Sequence, residues 1–201
     1  ETASESVAPG GGSVAAAMGA MGAALSAMVA NLSSHKRGWD HRWEEFSEWA
    51  DQGKQLHDEL LRLIDDDTAA FNQVMAAFRL PKDTPAARAA RDQAIQDATI
   101  DAIEVPFRVM QLSRAALDVA RAMAEGGNPS SISDAGVGAL AARAAVHGAF
   151  LNVKINCPGL SDRARIADYL ARGRALEQET VALEQEILAR VQAKLDAQLP
   201  S

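Results

Sequence analysis

The sequence predicts an all-α protein: an antiparallel bundle of about six helices, some long or kinked, with a Gly-rich loop before the central helix. Three observations carry this expectation. Apolar residues recur at helical spacing in every long segment, and no segment alternates like a strand. Pro and Gly clusters cut the chain into pieces of helical length. Aromatics are only 4% of residues against 48% apolar, the profile of helices packed closely through small side chains. At 201 residues the chain reads as one helical domain, 1–201, long enough to bury a core.

The first element is organised by Pro9-Gly10-Gly11-Gly12-Ser13. The glycines expose backbone N–H groups, and Ser13 reads as the cap of a helix running to about Ser34. Such a turn suits an anion or the polar edge of a ligand. It is neither a Walker motif nor a dinucleotide fingerprint, and a plain loop before a buried helix is the simpler alternative. Val14, Met18, Met21, Leu25, Met28 and Leu32 form one face of the helix. Ala16, Ala20 and Ala23, with Gly19 and Gly22, form the other. The segment is long enough to span a bilayer, but its Ala, Gly and Ser content argues for a buried helix instead. Both faces are suited to burial, so a second layer or a second subunit should cover it.

His35-Lys36-Arg37-Gly38 closes that helix; Lys36 and Arg37 suit either the helix C-terminus or a ligand carboxylate. A long helix follows from about Trp39 to Leu80, with a break expected at Gly53. Its buried stripe reads Trp43, Phe46, Ala50, Leu56, Leu60, Ile64, Phe71, Val74 and Phe78. Asp67 falls on this stripe, whereas Asp65 and Asp66 lie beside it. An inward carboxylate is either paired or functional. Thr84 and Pro85 start the next helix, and Pro106 should kink it and divide it in two before Gly126-Gly127.

Ser133 reads as the next N-cap, with Asp134 placed against the helix dipole. That helix repeats the small-residue character of the first and carries Asn152 and Asn156 four residues apart on one face. Ser161 should cap the last helix, whose charged flanks mark it as an outer one.

Composition narrows the function. A net charge of −7 argues against nucleic acid as the main partner. A single cysteine, Cys157, excludes an internal disulfide and reads as a quiet thiol. No His-x-x-x-His or Glu-x-x-His pattern offers a metal site. No signal peptide is visible; the chain opens on Glu1 and reads as a trimmed product with the cytoplasm as its expected compartment.

Several segments occur together in order: Ala8-Pro9-Gly10-Gly11-Gly12-Ser13, Met28-Val29-Ala30-Asn31-Leu32 with Lys36, Asp67-Thr68-Ala69-Ala70-Phe71, Val105-Pro106, Gly127-Asn128, Ser133-Asp134-Ala135-Gly136-Val137-Gly138 and Leu151-Asn152-Val153-Lys154-Ile155-Asn156. In that order and spacing the chain resembles the formiminotetrahydrofolate cyclodeaminase and methenyltetrahydrofolate cyclohydrolase family. The departures are His35 and Trp39, where relatives carry Gly and Tyr, and a missing helix before the Gly loop. The resemblance implies a folate substrate, a homodimer with room for higher oligomers, and no cofactor or metal beyond the folate. It leaves room for a formiminotransferase domain or partner. It implies Asp67 as the catalytic carboxylate, with Asp134 as the second candidate. Gly10, Gly11, Gly12, Ser13, Asn128, Ser133, Asn152 and Asn156 would line the folate site, and Lys36 with Arg37 would meet the glutamate tail. The expected reaction is loss of ammonia from 5-formiminotetrahydrofolate to give 5,10-methenyltetrahydrofolate. The alternatives are hydrolysis of the methenyl compound and a non-catalytic helical dimerisation module.

Overall fold

The computed structural model describes residues 2–199, and within them every long segment is helical. Five α-helices form the bundle: α1 (Gly11–Ser34), α2 (Trp43–Phe78), α3 (Pro85–Gly126), α4 (Ile132–Asn156) and α5 (Arg163–Asp196). Short 3₁₀ turns at Asp40–Arg42, Pro129–Ser131 and Cys157–Gly159 join them. The count is five rather than six because Pro106 does not divide its helix; α3 runs through it for 42 residues.

α1 is the central rod, packed against α2, α3 and α4, while α5 covers α3 and α4. Small residues make this approach close. A Cβ at Gly22 would stand 2.7 Å from the Gly138 carbonyl of α4, and one at Gly53 would stand 2.9 Å from Ala27 Cβ. Gly53 is therefore a contact point inside a continuous α2 and not a break. Phe46, Leu60, Ile103, Met110, Leu117, Phe150 and Ile187 fill the core around the rod.

Local signals set most boundaries. Thr84 Oγ1 accepts from Ala87 N at 3.1 Å with Pro85 in the first turn, as expected. Three caps differ by one to three residues. Gly10 is the N-cap of α1, so Gly11, Gly12 and Ser13 lie in the first helical turn and not in a loop. Ser131, not Ser133, precedes α4, because Asn128 first closes a 3₁₀ turn by accepting from Ser130 N. Asp162, not Ser161, caps α5, since its carboxylate accepts from Arg165 N at 3.0 Å.

Two burial expectations change as well. Trp43 and Phe78, at the two ends of the expected buried stripe of α2, are 54% and 51% exposed. On α1 only the small face is fully buried; Met21 is 67% exposed, and Val14, Met28 and Leu32 are exposed beside it. α1 is long and apolar enough to cross a membrane, but 61% of its most apolar window is buried inside the bundle.

α2 reaches the start of α1 at Asp67 and continues for eleven more residues, to Phe78. With α3 beginning at Pro85, this makes a two-helix arm that extends past the Gly end of α1.

Candidate active site

The first turn of α1 meets the middle of α2 at Gly12 and Asp67. Gly12 is buried, and a Cβ there would fall inside the Asp67 carboxylate. Glycine at 12 thus lets the carboxylate lie against the first turn of α1, where the helix dipole favours an anion. Ser13, only 2% exposed, donates from Oγ to Asp67 Oδ2 at 2.8 Å and lies 3.4 Å from Thr68 Oγ1. Ser13 therefore orients the carboxylate. As expected from the stripe, Asp67 is half-buried, while Asp65 and Asp66 are exposed.

A cavity of about 300 Å³ opens beside this pair. Val7, Ala8 and Gly10 to Gly12 form one wall; Asp67, Phe71 and Val74 of α2 form another; Ala102, Asn152, Ile155 and Asn156 complete it. Asp67 is the one charged side chain lining it.

The two amides are held by their nitrogens. Asn152 Nδ2 donates to Gly148 O at 2.9 Å, and Asn156 Nδ2 donates across to Ala102 O at 2.7 Å. Their Oδ1 atoms remain as acceptors. A Cβ at Gly11 would stand 3.3 Å from Asn152 Nδ2, a tight contact that a small shift of the amide would relieve. The lining thus combines one carboxylate with two amide oxygens, a set suited to a ligand group that is positively charged or rich in N–H. Among the described residues no group of three or more His, Cys, Asp or Glu is placed to hold a metal.

The remaining candidate residues collect at the opposite end of α1, about 36 Å away over its 24 residues. Lys36 places its ammonium 4.1 Å from the centre of the Trp39 ring, and Arg37 is exposed. Asn128 N donates to Ser33 Oγ at 2.8 Å, with Ser133 and Asp134 in the first turn of α4 nearby. Within one protomer these residues do not join Asp67. A larger cleft of about 660 Å³ also lies toward this end, lined by Met28, Leu32, His35, Asp51, Lys54 and His57 among others. It lacks a carboxylate fixed by a buried hydroxyl, so the smaller cavity is the better chemical site.

Over residues 1–175 the chain matches the profile of formiminotransferase-cyclodeaminase. It belongs to this family. A methenyltetrahydrofolate cyclohydrolase of Methylorubrum extorquens is 40% identical over 194 residues, covering 96% of this chain and 93% of that one. The formimidoyltransferase-cyclodeaminase of Gallus gallus is 38% identical over 157 residues, which are 78% of this chain but 29% of that protein. The family chain described here thus spans about a third of such bifunctional relatives. The crystal structure of formiminotetrahydrofolate cyclodeaminase from Thermotoga maritima superposes with a TM-score of 0.78 at 26% identity, covering 98% of this chain and 92% of that one. Membership supports a folate-processing enzyme of one-carbon metabolism.

Proposed function

We propose that the chain acts at the carbon between N5 and N10 of tetrahydrofolate, as a formiminotetrahydrofolate cyclodeaminase with Asp67 as the catalytic carboxylate. The observation that carries this reading is the Asp67 carboxylate, fixed by buried Ser13 as the one charge on the cavity wall. A protonated formimino group is cationic and rich in N–H, matching that carboxylate and the free Oδ1 atoms of Asn152 and Asn156.

The reaction follows from this placement. N10 attacks the protonated formimino carbon, forming the C–N10 bond of a five-membered ring. Asp67 takes the N10 proton and returns it to the former imino nitrogen. The bond from carbon to that nitrogen breaks, ammonia leaves, and the 5,10-methenyl cation stays opposite the carboxylate. Holding N5 and N10 in one folded conformer supplies much of the rate.

Hydrolysis of 5,10-methenyltetrahydrofolate is the second reading. The Methylorubrum relative, matched over nearly its whole length, favours it. Water would add to the methenyl carbon and Asp67 would take one of its protons; the C–N5 bond would then break as the hydroxyl proton passes to N5, leaving the 10-formyl compound and one proton released to solvent.

The exposed Val14, Met21, Met28 and Leu32 of α1 and Val137, Leu140, Leu151 and Ile155 of α4 support a homodimer through this apolar face. The Lys36 and Asp134 end could serve the Asp67 cavity only from a second copy.

The test offers the protein 5-formiminotetrahydrofolate and, separately, 5,10-methenyltetrahydrofolate, following methenyl absorbance and ammonia. Methenyl growth with matching ammonia supports the deaminase; accelerated methenyl loss alone supports the hydrolase. Asp67→Asn should lower kcat at least about a hundredfold in the active assay. Near-full turnover by this variant would overturn the role of Asp67.

A further inference from the structure

On α2, Asp67, Phe71, Val74 and Phe78 lie 0, 4, 7 and 11 residues along the helix, all within about 40° of one line. On α3, Ala102, Ile95, Arg91 and Arg88 fall on a matching line in the opposite chain direction. The two lines meet at both ends. Asp67, Phe71, Val74 and Ala102 line the same cavity. At the far end the Arg91 guanidinium lies 5.6 Å from the centre of the Phe78 ring, and its Nε and Nη2 donate to Phe78 O at 3.3 Å. The arm therefore carries a continuous seam, about 16 Å long over eleven residues, from the reacting carboxylate to its tip.

The seam changes character along its length. Near Asp67 it is acidic and rich in acceptors. Its middle is apolar and aromatic, with Phe71, Val74 and Ile95 half-buried. Phe78, at its end, is 51% exposed. The tip is basic: Arg79, Lys82, Arg88 and Arg91 stand there against Asp83 and Asp92, in a chain whose acids outnumber its basic residues 27 to 20. Arg79, Lys82 and Arg88 make no ion pair among the described residues; Arg88 only donates to Lys82 O, and Arg91 is 3.7 Å from Asp92.

We infer that this seam binds the part of the folate beyond N10, with the p-aminobenzoyl ring along Phe71 and Phe78 and the glutamate carboxylates at Arg88, Arg91 and Lys82. The inference rests on the folate reading above and names which residues of this chain hold the unreactive end of the substrate. The order of chemistry along the seam is the order along the substrate: a cationic one-carbon unit, then an aromatic ring, then carboxylates.

The experiment compares the wild type with Arg88→Glu/Lys82→Glu, which reverses two surface charges outside the catalytic cavity. Each protein is given whichever of the two folate substrates it turns over, and the same compound without its glutamate, the tetrahydropteroate form. The double variant should raise KM for the full folate about tenfold, leave kcat unchanged, and leave KM for the tetrahydropteroate form unchanged. The wild-type advantage of the full folate should shrink as salt rises. Thermal melting of the variant within a degree or two of wild type ties the change to binding. Arg91→Lys, which keeps the charge but weakens the paired contact to Phe78 O, gives a smaller KM increase. Unchanged KM for the full folate in the double variant overturns the inference. So does a KM increase from Lys36→Ala alone. Absence of wild-type turnover on either folate would instead remove the functional reading on which it rests.

Discussion

Asn156 fills the hydrogen-bonding gap that Pro106 leaves in α3. Proline has no N–H, so the carbonyl four residues earlier, Ala102 O, has no helical donor. Asn156 Nδ2 supplies one at 2.7 Å from the end of α4. The bond carries α3 through Pro106 without interruption, and it turns Asn156 Oδ1 into a fixed acceptor at the cavity wall. One side chain thus joins helix continuity to the shape of the site.

This arrangement predicts a specific coupling. Asn156→Ala should cost about 1–3 kcal/mol, because it leaves a buried carbonyl without a donor. In a Pro106→Ala background the backbone N–H at residue 106 takes that carbonyl, and the cost of removing Asn156 should fall by about 1 kcal/mol. Urea denaturation of the four proteins of the cycle measures it. Equal costs in both backgrounds would falsify the pairing.

Gly12 and Ser13 should act on the chemistry through the position of Asp67. Gly12→Ala pushes the Asp67 carboxylate from the start of α1, so kcat should fall about a hundredfold with a small change in KM. Ser13→Ala leaves Oδ2 without its 2.8 Å donor. A carboxylate that loses this anchor is no longer held in one orientation, so kcat should fall about tenfold with little change in KM. Ser13→Thr, keeping a hydroxyl at that position, should recover part of the loss. A kcat for Ser13→Ala equal to that of the wild type would show that the bond is structural only.

These relationships mark what could be read in the sequence. The Thr84–Pro85 start of α3 and the inward Asp67 were legible, because a cap and a helical stripe are local patterns. The partners of Asp67 and Ala102 were not. Ser13 and Asp67 are 54 positions apart, as are Ala102 and Asn156, so no spacing within one helix encodes either bond. Pro106 was read as a break for the same reason: its rescuer lies on another helix. The glycines at 11 and 12 look like a loop because glycine disfavours helices. At Gly12 the Asp67 carboxylate occupies the space that a side chain would take, and that packing outweighs the propensity. Lys36 and Asp134 were grouped with Asp67 by motif, yet the length of α1 holds them apart.

Stability should decline on the alkaline side in two stages. Burial, aided by the hydrogen bond to Glu104 at 2.8 Å, holds the Tyr169 hydroxyl above its ordinary value. Burial likewise raises the Cys157 thiol. In both cases the folded state keeps the proton to higher pH than the unfolded chain does. Their contribution is therefore whole below the unfolded values, about 8.5 for Cys and 10 for Tyr, and is lost as pH rises through the raised folded values. Melting temperatures between pH 8 and 11 should fall progressively. Cys157→Ala should flatten the lower part of that decline and Tyr169→Phe the upper part. A decline unchanged in both variants would assign it to other groups.

The apolar face of α1 and α4 gives the last prediction. Met21 is 67% exposed and Ile155 75% exposed, on the two helices whose small faces build the core. Water-facing residues of this size on both central helices are costly unless another surface covers them. In the proposed homodimer Met21→Glu places a charge within that contact and should convert dimer to monomer at micromolar concentration, as read by light scattering. A charge at Met75, which is also exposed but lies on the far half of α2, should leave the mass unchanged. If the wild type is itself a monomer at those concentrations, the face does not pair two copies. If both variants stay dimeric, the copies pair elsewhere.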